Sequence, residues 1–401
     1  MTKKFLTYLA PCLLTITGLT SCSNTNDDDS PYISGPAEST VLIYAVATNS
    51  LSSNLISDKR EMVYAAKNID LTRNKVLLYE ATYTNAPRLL SLTATKEGTY
   101  DFEVIKEYSQ EVSSVDPERI SEVMTDVAEI SPSDLYGLVL WSHGTGWIPY
   151  FQDSASGASK VAMYSFGYDR DPDNNKIHYE INIDDLADAI PSHFFSYIWF
   201  DACYMGNIET VYELRDKCDY FIGYPTEVFE FGVPYDTVLP YLTRKNPDYS
   251  QAAETFFDYY ALHPNPDARV ATVAVLDMTA IEDVADLCKV AYSFEGIPNP
   301  GSLQKYSRGV IGPYYDLGEY TKAKANMMQT PNEDFMEEFN AAMDRFVIFK
   351  RTTSVDFNMN ILDPDKYSGL SCHLFNPNVD SENQRYYKSL DWYKRTYSGS
   401  N

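Results

Sequence analysis

The chain has 401 residues, 44% of them hydrophobic and 22% charged, which suffices for a sizeable core and excludes a wholly disordered protein. With 57 acidic against 32 basic residues, the formal charge is -25 and the pI about 4.5. That field repels phosphate backbones, and with no lysine or arginine cluster to offset it, nucleic acid is excluded as a partner.

Lys3 and Lys4 form a basic start, an apolar stretch follows, and Leu19-Thr20-Ser21-Cys22 closes it, the pattern of a signal peptide over residues 1–21. The ending resembles a bacterial lipobox, which implies lipidation at Cys22. Residues 22–38 then read as a polar tether, whose run Asp27 to Asp29 resembles a surface-export signal. The expectation is an exported lipoprotein at the outer membrane or surface of a Gram-negative cell, held there by the lipid alone. No later stretch is apolar and long enough to cross a bilayer. Excluding Cys12 and Cys22, the remaining Cys203, Cys218, Cys288 and Cys372 have no short-spaced pairs, so neither a disulfide framework nor a CxxC zinc site is expected.

From residue 41 β-rich runs alternate with amphipathic stretches, the signature of an α/β fold with a mostly parallel central sheet covered by helices. Residues 41–47 form a first strand, 55–68 a helix, 74–83 a second strand, and the runs LLSLTAT and TYDFEVIKEY a hairpin. Pro117 after Asp116 opens the next helix. YGLVLWSHGTGW contains a buried strand over 136–142, residues 150–180 are a polar excursion, and IDDLADAI is a short helix before a second buried strand over 196–200. A helix over 207–216, the strand DYFIGY, two helices over 235–262 and the strand ARVATVAVLD follow. The rest reads as helices near 279–294, 315–327 and 333–347 and a late strand, YSGLSCHLF.

The two buried strands each release a reactive side chain, His143 and Cys203, within three residues of their carboxyl ends. In a parallel sheet those ends share one edge, outside which open α/β sheets place their chemistry. Cys203 precedes a helix capped by Asn207, whose free N–H groups favour a thiolate. Gly144 and Gly146 leave room for a backbone N–H that, with the Cys203 N–H, holds an oxyanion. A buried cysteine and a strand-end histidine are the alternative, set aside because both sit at strand ends.

LVLWSHGTGW and WFDACYMGNIETVYEL resemble the two signature segments of the clostripain-like cysteine peptidases, relatives of caspases, gingipains and legumains. The similarity runs over about residues 40–325 and includes GYPTEVFEFGVPYD and YYDLGEY. It implies a caspase-like three-layer sandwich over 39–330, with 331–401 as an extension packed on the same domain, and endopeptidase action on protein or peptide substrates after Arg or Lys. Carried over by motif, Cys203 attacks the carbonyl carbon, His143 protonates the leaving amine, and Gly144 with Cys203 forms the oxyanion hole. By the same resemblance Asp201 lines an acidic S1 pocket; the alternative is a strand-ending residue whose carboxylate caps local backbone N–H groups. Where relatives carry a Ser-acid pair this chain has Pro225-Thr226-Glu227, so Glu227 stands in for the second acid. The resemblance also implies self-cleavage after Lys160, Arg170 or Lys176.

Asp169, Asp171, Asp173, Asn174, Asn175 and Glu180 match a calcium-loop spacing, with Asn at the turn position that glycine usually holds. Flanking helices are absent, so a solvated acidic loop is the favoured reading and Ca2+ the alternative; the chemistry itself requires no cofactor. His178, His193, His263 and His373 show no metal-ligand spacing. Two competing functions are a surface-anchored binding protein that kept a peptidase-like fold without its activity, and a cysteine amidase or transpeptidase.

Overall fold

The computed structural model describes residues 36–149, 165–170, 178–306, 314–328 and 333–397. Cys22, Lys160, Asp171, Asp173, Asn174, Asn175 and Lys176 lie outside them. The described elements begin with β1 (Ser39–Val46), α1 (Ser52–Ala65), β2 (Asn74–Ala81), β3 (Arg88–Ala94), β4 (Tyr100–Glu107), α2 (Pro117–Ile130) and β5 (Tyr136–Trp141). Next come β6 (Phe166–Arg170), β7 (His178–Ile181), α3 (Ile183–Ala189), β8 (Phe195–Asp201), α4 (Ile208–Glu213), β9 (Cys218–Gly223), α5 (Tyr235–Leu242), α6 (Tyr249–Ala261), β10 (Thr272–Asp277) and α7 (Ile281–Tyr292). The last are β11 (Lys305–Tyr306), β12 (Tyr314–Asp316), α8 (Leu317–Ala325), α9 (Glu333–Phe346), β13 (Val347–Thr352), β14 (Ser371–His373), α10 (Glu382–Tyr387) and α11 (Asp391–Tyr397).

Nine strands form one sheet in the order β13-β10-β9-β8-β5-β1-β2-β3-β4. The five from β9 to β2 are mutually parallel, and the two at each flank are antiparallel. Each central strand is apolar on both faces because each face is roofed by helices. Leu42, Tyr44, Leu138, Leu140, Ile198 and Phe200 pack with Ile120, Val123 and Val127 of α2 and with α4 and α7. Their neighbours Val41, Ile43, Val139, Trp141 and Trp199 pack with α1, α5 and α6. The period of two in the strand thus divides the interior into two cores, one above and one below the sheet, giving the expected caspase-like three-layer sandwich.

Local signals account for several boundaries. Asp116 caps α2 through the Glu118 N–H at 2.8 Å, with Pro117 in the first turn. Other elements depart from the sequence reading. Tyr314–Asp316 is a strand rather than the start of a helix, because the Asp316 carboxylate caps α8 by accepting from Glu319 N. Part of the polar excursion is the hairpin β6–β7. The late strand shortens to β14 and joins β11 and β12 in a separate sheet. The C-terminal segment supplies an unforeseen edge strand, β13, and places Leu390 and Trp392 in the upper core. Among the described residues, no helix is long and apolar enough to cross a membrane.

Candidate active site

Parallel pairing in register brings Ala45, Trp141 and Asp201 side by side at the carboxyl edge of β1, β5 and β8. The residues just past that edge therefore meet: Ser50 after β1, His143 after β5, Cys203 after β8 and Glu227 after β9. They line one cleft of about 390 Å³, shared with Trp141, Asp201, Phe229 and Phe357. The thiol and imidazole chosen from the sequence thus open onto the same cavity from adjacent strands.

The backbone turns sharply after the nucleophile. Tyr204 has φ 61°, a left-handed conformation that costs a non-glycine residue roughly 1 kcal/mol or more. Tyr204 N donates to Thr226 O at 2.9 Å, Gly206 N to Tyr224 O at 2.7 Å, and Asn207 Nδ2 to Tyr204 O at 2.7 Å, and these bonds hold the turn. Asn207 does cap α4, accepting from Thr210 N at 2.8 Å, but that helix has six residues and starts five positions beyond the cysteine. The donor placed on the sulfur is instead Val228 N, 3.4 Å from Cys203 Sγ. The sulfur also lies 3.7 Å from Val228 O, so the same residue offers it both a donor and an acceptor.

His143 Nε2 lies 2.9 Å from Ser50 Oγ, a partner the sequence did not reveal. Its neighbour Gly144 sits where a Cβ would lie 2.8 Å from Met205 Sδ and 2.9 Å from Cys203 O. Only glycine allows the histidine and cysteine segments to come that close.

Asp201 is 5% exposed, and its Oδ2 accepts from Val233 N at 3.1 Å and Tyr235 OH at 3.0 Å. Burial lifts its pKa to about 6 despite these two bonds. Gly232, at φ 61°, passes over the carboxylate so closely that a Cβ would be 2.8 Å from Oδ2. Behind it, Trp141 Nε1 donates to Asp58 Oδ2 at 2.9 Å. Burial, with the Asp201 charge added, pushes Asp58 to about 9, so the carboxyl that ionises first keeps its neighbour protonated. Glu61, which accepts from Tyr235 N at 3.0 Å, is raised to about 7, chiefly by burial. Glu227 Oε2 accepts from Asn358 Nδ2 at 2.6 Å, a contact spanning 131 positions with no local sequence signal. Asp201, Glu227 and Glu230 line the cleft, and among the described residues no lysine or arginine does.

The remaining candidates lie apart. Asp169 in β6 accepts from Ser113 Oγ at 2.7 Å, from Ser114 N at 2.6 Å and from Thr48 Oγ1. It pairs across the hairpin with Tyr179, so Glu180 points to the opposite face. His178 Nε2 is 3.1 Å from Glu180 Oε1 but not aligned for a hydrogen bond. Burial raises Glu180 to about 9 and lowers His178, so the contact is between neutral groups rather than an ion pair. Among the described residues no three His, Cys, Asp or Glu side chains converge as metal ligands. Arg170 is paired with His178 at the end of β6. Cys203, Cys218, Cys288 and Cys372 are all free thiols.

The family model of the clostripain family matches residues 43–400. A secreted C11 cysteine protease from Bacteroides thetaiotaomicron, solved with an irreversible peptide inhibitor, is 28% identical with a TM-score of 0.76, covering 90% of this chain and 99% of its own. An inactive zymogen C11 protease from Parabacteroides distasonis is 28% identical with a TM-score of 0.74, covering 91% of this chain and 99% of its own. The structure of the Bacteroides thetaiotaomicron protease called iotapain is 26% identical with a TM-score of 0.73, covering 90% of this chain and all of its own. No curated protein sequence matches the chain. A match over nearly the whole length, on a sheet that sends a cysteine and a histidine into one cleft, makes this chain a member of the clostripain family and a cysteine-type peptidase.

Proposed function

We propose that this enzyme is an endopeptidase in which Cys203 is the nucleophile and His143 the proton carrier, cleaving after Arg or Lys. The observation that carries the reading is the opening of both side chains into one acidic cleft from adjacent parallel strands. The Cys203 thiolate attacks the scissile carbonyl carbon, and the Gly144 and Cys203 N–H groups receive the oxyanion. His143 gives a proton to the leaving amine, the C–N bond breaks, and a thioester remains. Water, deprotonated by His143, then releases the acid and restores the thiol. Asp201 and Glu227 supply the negative charge that draws a guanidinium or ammonium into S1.

The same reading makes the protein an exported lipoprotein anchored at Cys22. Lys3, Lys4, the apolar stretch and Leu19-Thr20-Ser21-Cys22 support it, as does the secreted relative. Maturation by self-cleavage after Lys160, Arg170 or Lys176 belongs to the same reading; of the three, Arg170 is paired with His178 in the β6–β7 ladder. The test is a fluorogenic peptide series with Arg, Lys, Asp and uncharged residues at P1, run on the wild type, Cys203→Ala and His143→Ala. Expected is turnover of Arg and Lys peptides, abolished by Cys203→Ala and lowered at least ~100-fold by His143→Ala. Equal rates across P1 residues refute the acidic S1 pocket, and turnover surviving in Cys203→Ala refutes the nucleophile. EDTA leaves the rate intact if the chemistry is metal-free; a fall restored by added Ca2+ but not by other divalent ions supports a calcium requirement.

A further inference from the structure

We propose that Phe229, Phe231 and Phe357 form an aromatic subsite that selects a large apolar side chain at P2, the substrate residue just before P1. This rests on the assignment of Cys203 and His143 as the reacting pair.

Phe229 and Phe357 line the active-site cleft. Their rings meet edge to face at 4.7 Å, and Phe231 stacks on Phe229 at 5.9 Å. Yet Phe231 is 43% and Phe357 37% exposed. A half-buried Phe229 flanked by two exposed phenylalanines, one of them in the cleft lining and the other beside it, marks a surface completed by a ligand. Their positions are also fixed. Phe229 follows Val228, whose N–H rests on Cys203 Sγ. Phe357 belongs to a loop gathered by the buried Asp356 carboxylate, which accepts from Asn358 N at 2.9 Å and Asn360 N at 2.8 Å, and the same loop reaches Glu227 through Asn358.

Sheet order decides which substrate residue lies there. Along the carboxyl edge the sequence of loops follows β13, β10, β9, β8, β5 and β1. The phenylalanines follow β9 and β13, Cys203 follows β8, and His143 follows β5. The aromatic surface therefore lies on the side of the sulfur away from the proton donor. The leaving amine must face His143, so the acyl half of the substrate faces the phenylalanines. S1 descends towards Asp201 beneath Gly232, part of the same loop as Phe229 and Phe231, and the residue preceding P1 crosses the rings.

The test uses peptides varied at P2 (Phe, Leu, Ala, Gly, Asp), each carrying whichever P1 residue proves best, so that failure of the basic P1 preference leaves the P2 ranking readable. Expected is a kcat/KM for Phe or Leu over Gly of about ten-fold or more, falling below about three-fold in Phe229→Ala and Phe357→Ala and restored in Phe229→Leu. Alkylation of Cys203 in each variant verifies an intact fold, and Phe231→Ala, at the most exposed of the three positions, gives an independent arm. A flat or acid-favouring wild-type ranking overturns the proposal. So does a ranking untouched by the substitutions, or one that changes at the residue after the scissile bond instead of before it.

Discussion

Replacing Asp201 by Asn separates the demands of folding from those of substrate binding. Burial raises the Asp201 pKa from 3.8 to about 6, so between those pH values the folded chain holds a proton that the unfolded chain has lost. Stability therefore falls as pH rises through this window, by about 1.4 kcal/mol per unit and about 3 kcal/mol in all. Asn carries no charge and its Oδ1 can still accept from Tyr235 OH, so Asp201→Asn should be more stable than the wild type at pH 7 by roughly that amount. For a chain this long the gain is about 3–6 °C in Tm; it should shrink to a small remainder near pH 4 and vanish below it, where Asp201 is protonated in the folded and the unfolded chain alike. Loss of a charge-assisted bond to a basic P1 residue should at the same time lower kcat/KM for Arg peptides by ~10–100-fold relative to uncharged ones. Differential scanning fluorimetry at pH 4 and 7, with kinetics on paired peptides, reads both effects. A Tm difference that does not change with pH, or an Arg preference that survives, would refute the reasoning.

Other substitutions probe neighbouring groups. Asp58→Asn keeps an acceptor for Trp141 Nε1 and should cost under ~1 kcal/mol, whereas Asp58→Ala strands a buried indole N–H and should cost ~2–3 kcal/mol in urea unfolding. Gly144→Ala pushes a methyl against Met205 and the Cys203 carbonyl; kcat should fall ~100-fold, with an overpacking cost of about 1–3 kcal/mol in urea unfolding. In protein beginning after Cys22, iodoacetamide should label one thiol per native chain, at Cys203, because Cys218, Cys288 and Cys372 are buried and burial raises the pKa of each. Mass spectrometry finding a second label under native conditions contradicts that accounting.

The central strands were legible because β5 and β8 are apolar on both faces and end within two residues of His143 and Cys203, features carried within a dozen residues. The reacting pair followed from the same local pattern. What escaped was written in polar or distant residues. β13 alternates half-buried Val347 and Phe349 with exposed Ile348 and Lys350 and follows α9 without a break, so its sequence reads as a fraying helix end. The β6–β7 hairpin is built from Tyr168, Asp169 and His178, which resemble a loop until Asp169 is seen satisfied by Thr48, Ser113 and Ser114. Ser50 beside His143 and Asn358 on Glu227 come from segments 93 and 131 positions away, pairings set by sheet order alone. The cap at Asp316 was visible as an Asp three residues before a Glu, a signal overridden by the apolar period around it.

The loop carrying Phe357 and Asn358 hangs from β13, one of the last strands along the chain. The strands β1, β5 and β8, which bring the thiol and the imidazole into one cleft, all precede that flank along the chain. Everything from residue 347 onward carries both that loop and the core residues Leu390 and Trp392, so substrate recognition and the upper core depend on the same final stretch.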